Sequence, residues 1–507
     1  MDYLKSKTPP VREDRLGTGV AFGGTVQEVR HAQKEGCLNL ASRSFSQTQG
    51  CQFTLSLAII NTMRNAVSIM HGPVGCGAIS IGNVGQSQTF KRLRDPKAEG
   101  LFWLSTNLTE SDVINGGEEK LREAIRYADK EFQPEMIIIA VSCVPALIGD
   151  DVDAVIQELQ DEVAAKIVPV QCAGFKTKAM ATAYDDVYHG ILRQLISHPI
   201  RREDRQVVPD DLRDVQRRYR DTRTVNVLNV GTMSRADELE LERLLTALEL
   251  KVRYLPCFSD ADDFRYVLES ALNVSICGTH DDYFIKHLET LYNIPFIIDT
   301  MPVGRRNIAR WLRKIAEHFD LQEQAERLIA AEDKALDEAL EPLRAQFRGK
   351  TAFVGGGEVR VLTTAEVLQD LGFRILGLKV HHYDEFVEPI YESLDDVDDV
   401  VLAVSAQQPF EQINLVKRLQ PDLYVGHVGG GNISAKQGLP LLPLFGPTFL
   451  YMGYGGVYEM ARRIQRLMSN YQFNKKIAAH CPLPYRESWY AKDPFTYIKT
   501  ELEVSTG

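Results

Sequence analysis

Residues Met136–Asp151 read MIIIAVSCVPALIGDD, and this stretch predicts the class of fold. The apolar run Met136–Val141 is rich in β-branched side chains, which is typical of a strand buried on both faces of a parallel sheet. Asp150 and Asp151 then predict the first turn of an amphipathic helix. Cys143 therefore lies between a strand and a helix, the place where open α/β sheets bind ligands.

The number of cysteines in the chain limits the chemistry that can be expected of Cys143. One cysteine at a strand end is most often a small buried hydrophobic residue, so the role of Cys143 depends on the rest of the chain. Eight cysteines in 507 residues are too few for a disulfide scaffold and favour metal or redox chemistry.

The charge and hydropathy patterns exclude two classes of partner. The net charge is −11, and no run of Lys and Arg is long enough to form a basic stripe, so we expect no nucleic acid partner. We also expect no membrane segment, because no stretch reaches the roughly 18 apolar residues of a membrane span. The start of the chain has no apolar signal-like region, and we therefore expect a cytoplasmic protein.

Strand and helix patterns alternate along most of the chain. This alternation predicts an α/β protein with three Rossmann-like, doubly wound parallel-sheet domains around a central crevice. The charged, proline-containing stretch 198–223 is the clearest predicted boundary. The predicted units are an N-terminal arm at 1–50, α/β domains at 51–205, 224–349 and 350–460, and a helical tail at 461–507.

Glycine-rich turns recur beside the predicted strands. Residues His71–Gly77, HGPVGCG, predict a turn with glycines on both sides of Cys76, which lets backbone N–H groups approach a bulky ligand. Neither Gly355–Arg360 nor Gly429–Gly431 has the glycine spacing of a dinucleotide site, and no phosphate-binding GxxxxGK[ST] motif occurs. We therefore expect that the chain binds neither NAD nor ATP, and that these loops approach a large buried ligand. Cys277 ends another predicted strand, as Cys143 does.

The cysteine motifs resemble those of a known family. Cys51 in QGC, Cys76 in HGPVGCG and Cys143 in SCVPALIGDD resemble the three cysteines that hold the eight-iron P-cluster in α-type subunits of nitrogenase component 1. The resemblance covers about residues 20–464. It implies a P-cluster-type iron–sulfur cluster shared with three cysteines of a partner subunit, and therefore an obligate hetero-oligomer.

The same resemblance implies a second metal site. Cys277 in NVSICGTHDDYF matches the cysteine that anchors the nitrogenase-type iron–sulfur cofactor, for which thiolate is a suitable ligand. It also implies cofactor contacts from the Gly-rich loop, and the residues expected there are Gly356, Gly357, Glu358 and Arg360.

The chain departs from nitrogenases where they hold the far end of the cofactor. Residues 438–447, GLPLLPLFGP, contain no His, and Phe445 falls near that site. His427, His381 and His382 are the candidates for a second ligand, each weighed against an ordinary hydrogen-bonded histidine.

The predicted substrate face also differs. By position, Met180 and Tyr184 stand where nitrogenases place Gln and His, which implies a more apolar pocket with a phenol as proton donor and argues against dinitrogen. We take Met180, Tyr184 and His382 as candidate catalytic residues, with His280 as a further acid–base candidate.

Among nitrogenase-like proteins, this combination looks most like the catalytic D subunits of the methylthio-alkane reductase family. That resemblance implies reductive C–S cleavage of a small thioether, with an ATP-hydrolysing iron protein as electron donor and a K-type (β-like) subunit in a D2K2 heterotetramer. Three alternatives stay open: a scaffold subunit for nitrogenase cofactor assembly, an alternative-metal nitrogenase α subunit, and a redox-inert binding subunit.

Overall fold

The computed structural model describes residues 3–46, 51–97, 102–196, 222–229, 233–406, 408–426, 431–444, 446, 448–470 and 472–500. It confirms the predicted fold class, because three separate sheets are built from parallel strands with helical crossovers. Within these residues, no helix combines the length and the apolar character that a membrane crossing requires.

The first sheet has the strand order β4-β3-β5-β6, and all of its strands are parallel. The strand Met136–Val141 confirms the prediction made from residues 136–151. Met136, Ile138 and Ala140 pack into one core, whereas the alternate residues Ile137 and Ile139 pack into another on the opposite face. The run is continuously apolar because both faces of the strand are covered. The strands are β3 (Ala66–His71), β4 (Phe102–Ser105), β5 (Met136–Val141) and β6 (Lys166–Val170).

The helices of this region begin earlier than the sequence predicts. Cys76 was expected in a turn, but it lies in the first turn of helix Val74–Arg94. The helix can pass close to the sheet because Gly77 has no side chain, and a Cβ there would lie 2.3 Å from Met70 Cε. The other helices are Gln52–Ile60, Glu110–Asn115, Glu118–Phe132, Cys143–Ile148, Val152–Leu159 and Thr182–Gln194.

The second sheet is also parallel, with the order β10-β9-β7-β8. Its strands are β7 (Thr224–Asn229), β8 (Lys251–Pro256), β9 (Leu272–Ser275) and β10 (Phe296–Ile297). Its helices are Arg235–Thr246, Ala261–Arg265, Gly278–Tyr292, Arg305–His318 and Gln322–Phe347.

The third sheet has the order β1-β13-β12-β11-β14-β15 and is parallel except at one edge. That edge is β1 (Phe22–Thr25), which comes from the N-terminal segment and pairs antiparallel with β13. The other strands are β11 (Thr351–Gly356), β12 (Arg374–Val380), β13 (Val401–Val404), β14 (Leu423–Gly426) and β15 (Leu441–Pro443). The helices are Glu358–Asp370, Pro409–Leu419, Gly431–Lys436 and the 3-10 segment Glu385–Ser393.

The last strand of the described chain pairs with a strand of the N-terminal segment. Strand β2 (Ala41–Arg43) pairs antiparallel with β16 (Ile498–Thr500), so the last part of the chain packs beside the N-terminal segment. The helices before β16 are Gly453–Ser469, Gln472–His480 and Glu487–Tyr490, and the N-terminal segment contains Arg12–Leu16 and Val26–Lys34.

Candidate metallocluster sites

A cavity of about 180 Å³ lies where helices from all three sheets begin. Thr182–Gln194 follows the first sheet's β6, Gly278–Tyr292 follows β9 of the second, and Glu358–Asp370 follows β11 of the third. Helix N-termini carry partial positive charge, so their convergence favours an anionic ligand. The cavity is lined by Leu55, Met180, Ala181, Tyr184, Cys277, Thr279, His280, Met301, Gly357, Glu358, Val359, Arg360, His381, His382 and Ala406.

Most of the residues predicted for the cofactor meet at this cavity, which we call the central cavity. Met180, Tyr184, Cys277 and His382 all line it, although they lie far apart in sequence. Gly357, Glu358 and Arg360 of the predicted Gly-rich loop line it as well. Gly356 is the last residue of β11 and is not among the lining residues. His427 and Phe445 fall outside the residues that the structure describes.

Cys277 occupies the N-cap position of helix Gly278–Tyr292 and is almost completely buried. Its backbone N–H donates to Ser275 Oγ at 3.0 Å, which fixes the residue at the end of the strand. Burial raises the pKa of the Cys277 thiol to about 12, Asp281 acts in the same direction, and Arg360 opposes it. The metal-free thiol is therefore protonated at neutral pH, and metal binding would release that proton.

Two rings form one wall of the central cavity. The rings of Tyr184 and His280 lie 4.2 Å apart, centroid to centroid. Burial raises the pKa of the Tyr184 hydroxyl above its ordinary value, and it lowers the pKa of His280. Because of these pKa shifts, both the phenol and the imidazole are neutral at neutral pH. His280 Nδ1 is also buried without a hydrogen-bond partner.

Glu358, His382 and Asp384 lie together beside the cavity. Thr279 donates its hydroxyl to Glu358 Oε1 at 2.7 Å, and His382 Nε2 lies 3.5 Å from that oxygen. Burial and the Asp384 carboxylate raise the pKa of Glu358 to about 7. Burial acts to lower the pKa of His382, but Glu358 outweighs it and raises this pKa. The carboxyl and the imidazole therefore both hold protons more readily than they do in water.

An ion cluster from the N-terminal segment supports this wall. Arg12 is fully buried and donates to Thr279 O at 2.8 Å, which is part of the cavity lining. Its guanidinium also reaches one aspartate from each sheet region, at 3.1 to 3.4 Å. We call this set the arginine–aspartate cluster, and its members are Arg12, Arg15, Asp185, Asp282 and Asp384.

The other three predicted metal ligands form a second group, at the carboxyl edge of the first sheet. Cys76 follows β3 and Cys143 follows β5, two adjacent strands at which the order of the sheet reverses. Cys51 occupies the N-cap position of helix Gln52–Ile60. All three are partly exposed, whereas Cys172 is buried. Such an arrangement leaves the thiols accessible to a ligand from outside the chain.

Gly174 brings backbone against two of these sulfurs. A Cβ at this position would lie 2.7 Å from Cys51 Sγ and 3.7 Å from Cys143 Sγ. Burial raises the pKa of Cys76, the neighbouring thiols of Cys143 and Cys51 add to the effect, and Ser142 opposes it. The three thiols therefore form one group, which we call the interface cysteines after the partner contact that the sequence predicts for them.

Asp150 and Asp151, which were predicted together as helix-capping carboxylates, have different roles. Asp151 caps helix Val152–Leu159 by accepting from Ala154 N at 3.1 Å. Asp150 instead binds His71 Nε2 at 3.0 Å and accepts from Gly117 N at 3.0 Å. It thus joins the end of β3 to the loop before helix Glu118–Phe132, behind the interface cysteines.

Sequence reasoning missed Thr279, which lines the central cavity, and Arg12, which supports its wall. Thr279 lies within the Cys277 motif but was not predicted to take part in a site, and its position two residues after the cysteine was the available signal. Arg12 lies in a polar segment without periodicity, and nothing local indicates that its side chain is buried among distant aspartates.

Comparisons with known proteins agree with the geometry. A family model described as Nitrogenase component 1 type Oxidoreductase matches residues 51–469. The iron-molybdenum cofactor biosynthesis protein NifE of Nostoc sp. is 27% identical over 449 residues, which cover 86% of each chain. The nitrogenase molybdenum-iron protein alpha chain of Methanosarcina barkeri is 25% identical over 348 residues, covering 67% of this chain and 61% of the other. The solved structure titled "Nitrogenase Cp1 at pH 5" matches 91% of this chain and 98% of its own, with a TM-score of 0.68 at 20% identity.

Proposed function

Because this chain belongs to the nitrogenase component 1 type oxidoreductase family, we propose that it is the α-type subunit of a reductase that cleaves C–S bonds of methylthio-alkanes. In this proposal the interface cysteines hold one iron–sulfur cluster and Cys277 anchors a second. An ATP-hydrolysing iron protein delivers the electrons. The protein works in the cytoplasm, in a D2K2 heterotetramer with a K-type partner.

The interface cysteines fit a cluster that two subunits share. Cys51, Cys76 and Cys143 are an odd set of thiols grouped at one edge of a sheet, and all three are partly exposed. Val74, two residues before Cys76, and Leu147, four residues after Cys143, are apolar side chains with 57% and 68% of their surface exposed. A partner subunit that supplies further thiolates would cover these side chains and complete the cluster.

The central cavity fits an anionic cofactor on Cys277. The thiol is buried at a helix N-terminus, and Arg360 lines the same space. A Cβ added at Gly357 would meet no heavy atom within 4 Å, so a ligand can approach the backbone there. When bound in this cavity, an iron–sulfur cofactor supplies low-potential electrons and iron that binds sulfur.

The observation that favours turnover over storage is the set of proton-holding groups around Cys277. Tyr184 holds a proton on its hydroxyl, and Glu358 and His382 hold protons with raised pKa values. Reduction consumes protons, whereas holding a cluster does not. These groups line the cavity that contains Cys277, within which they could protonate a substrate.

The apolar part of the lining favours a thioether as substrate. Leu55, Met180, Met301 and Val359 present hydrocarbon and thioether groups to the cavity. For 2-methylthioethanol, two electrons and two protons would break one C–S bond and one C–O bond and release methanethiol, ethylene and water. The chain's part is to bind the methylthio group and to deliver the two protons.

A scaffold for cofactor assembly is the second candidate function. It is favoured by the identity of 27% over 449 residues to the cofactor biosynthesis protein of Nostoc sp., compared with 25% over 348 residues to the alpha chain of Methanosarcina barkeri. A scaffold would hold its cluster on Cys277 and release it to an apo-enzyme without turnover.

One experiment separates these functions. The complex is purified without oxygen, supplied with its iron protein, ATP and dithionite, and offered 2-methylthioethanol and dinitrogen in parallel. Ethylene and methanethiol with little ammonia are the expected products, with iron measured per heterodimer. Bound iron without either product, together with transfer of the cluster to an apo-nitrogenase, would establish the scaffold instead. Ammonia as the main product would establish a nitrogenase.

A further inference from the structure

We propose that Glu358, His382 and Asp384 form a binding site for one divalent transition-metal ion, distinct from the iron–sulfur clusters. One ligand atom from each side chain lies within 4.8 Å of the other two. Their side chains are 1%, 9% and 0% exposed, so the group is buried beside the central cavity. This inference does not depend on the proposed C–S cleavage; where the ion is bound, it displaces the protons of Glu358 and His382 and leaves Tyr184 as the proton-holding group of that proposal.

Two atoms of this group are buried without hydrogen-bond partners. Glu358 Oε1 accepts a hydrogen bond from the Thr279 hydroxyl, but Glu358 Oε2 has no hydrogen-bond partner. His382 Nε2 also has none, and it stands 3.5 Å from Glu358 and 3.9 Å from Asp384, which is long for a hydrogen bond. Unpaired buried polar atoms are costly, and native proteins rarely keep two of them side by side. A metal ion between them would satisfy both.

The charges of the side chains around the group balance one another before any ion binds. The arginine–aspartate cluster contains two guanidinium groups and three carboxylates. With Lys286, which lies 3.6 Å from Asp282, and Arg360 of the cavity wall there are four cations, and Glu358 brings the carboxyl groups to four as well. Buried charges are stable when they are paired or when they coordinate a metal.

The ligand set indicates the class of ion. One imidazole nitrogen with two carboxylates suits Mn²⁺, Fe²⁺ or Zn²⁺, whereas Ca²⁺ and Mg²⁺ prefer oxygen ligands alone. Glu358 and His382 line the central cavity, so the remaining coordination positions face the space in which the cofactor would also bind. Water or a small ligand could occupy those positions.

Binding of Mn²⁺ tests the site. The complex with the Cys277→Ala change, which removes the cluster anchor from the cavity, is treated with a chelator and titrated with Mn²⁺ while electron paramagnetic resonance counts the bound ion. We expect one tightly bound Mn²⁺ per chain. Adding Glu358→Gln or His382→Gln should weaken it by at least about tenfold. Adding Glu366→Gln, a buried carboxylate whose partners are Arg306 and Asn307, should not.

A second measurement needs no change at the site. Pulsed resonance of Mn²⁺ bound to the unmodified complex should reveal coupling to the nitrogen of one imidazole. The absence of that coupling, the absence of a stoichiometric ion, or equal affinity with and without Glu358→Gln would each overturn the proposal. An ion that binds only when Cys277 is intact belongs to the cofactor and would overturn it too.

Discussion

Arg12 Nη2 lies 3.1 Å from Asp384 Oδ2, so an ion pair joins the N-terminal segment to a residue 372 positions further along the chain. The same guanidinium binds Asp185 and Asp282, which belong to helices beside the first and second sheets. Asp384 follows β12 of the third sheet. One side chain therefore ties together the three regions that surround the central cavity.

We expect Arg12→Met to destabilise the protein strongly, because it leaves three buried carboxylates without this cation. Loss of one partner from a buried ion cluster costs about 3–5 kcal/mol. The shift in the thermal or denaturant unfolding midpoint measures the effect. Arg122→Met is the control, since it breaks the more exposed contact with Glu158 and should cost less than about 1 kcal/mol. Equal losses in the two variants would contradict a structural role for the cluster.

Replacement of Cys277 by Ala should remove one class of bound iron and leave the other. The expected result is loss of the cofactor iron from the central cavity and of all turnover, while iron at the interface cysteines stays. Metal analysis per heterodimer measures this. Cys37→Ala, at an exposed thiol, should change neither value. Unchanged iron and activity in Cys277→Ala would support a redox-inert binding subunit.

Gly174→Ala should disturb the cluster at the interface cysteines without removing a ligand. The new methyl group would lie 2.7 Å from Cys51 Sγ, so the thiol must move. We expect lower iron content and weaker association with the partner subunit, measured by metal analysis and co-purification. Gly75→Ala is the matched control, because it adds a methyl group beside Cys76 with no heavy atom within 4 Å. Full iron content in Gly174→Ala would show that the sulfurs have room to shift.

Tyr184→Phe should lower turnover while the iron content stays constant. Loss of a positioned proton donor costs about 10²-fold or more in rate. The rate of product formation at fixed iron content measures this. Because proton transfer then limits the rate, the solvent isotope effect should also be larger. The control is Tyr127→Phe, which removes an exposed phenol on the outer helix Glu118–Phe132. An unchanged rate in Tyr184→Phe would leave Glu358 and His382 as the proton-holding groups.

The Asp186 carboxyl group should make the protein less stable as the pH rises above its unfolded pKa of about 4. Asp186 is buried, its Oδ2 has no hydrogen-bond partner, and burial raises its pKa well above the ordinary value. A carboxyl group whose folded pKa is raised stabilises the folded state while it is protonated, and this stability is lost as pH rises above the unfolded pKa of about 4 towards the folded pKa. Asp186→Asn should therefore make the unfolding midpoint depend less on pH. Asp161→Asn, at an exposed position, should leave the pH dependence as it is.

Local patterns were sufficient to predict the strands that end before Cys143 and before Cys277. The run Met136–Val141 forms the predicted strand because its residues are all apolar and both faces of the strand are buried. The helix starts were less predictable: Gly77 was taken as part of a turn, but it allows a helix to pass close to Met70, which only the packed structure reveals. The contacts of Arg12 were not predictable, since they depend on side chains brought together by three separate sheets.

The buried position of Arg12 has a consequence for when the chain can fold during its synthesis. A ribosome makes Arg12 well before Asp384, which follows 372 residues later. The wall of the central cavity therefore cannot close during the early part of translation, and until then Arg12 has no complete set of counter-charges. A cluster that binds Cys277 would find this wall complete only after Asp384 has been made.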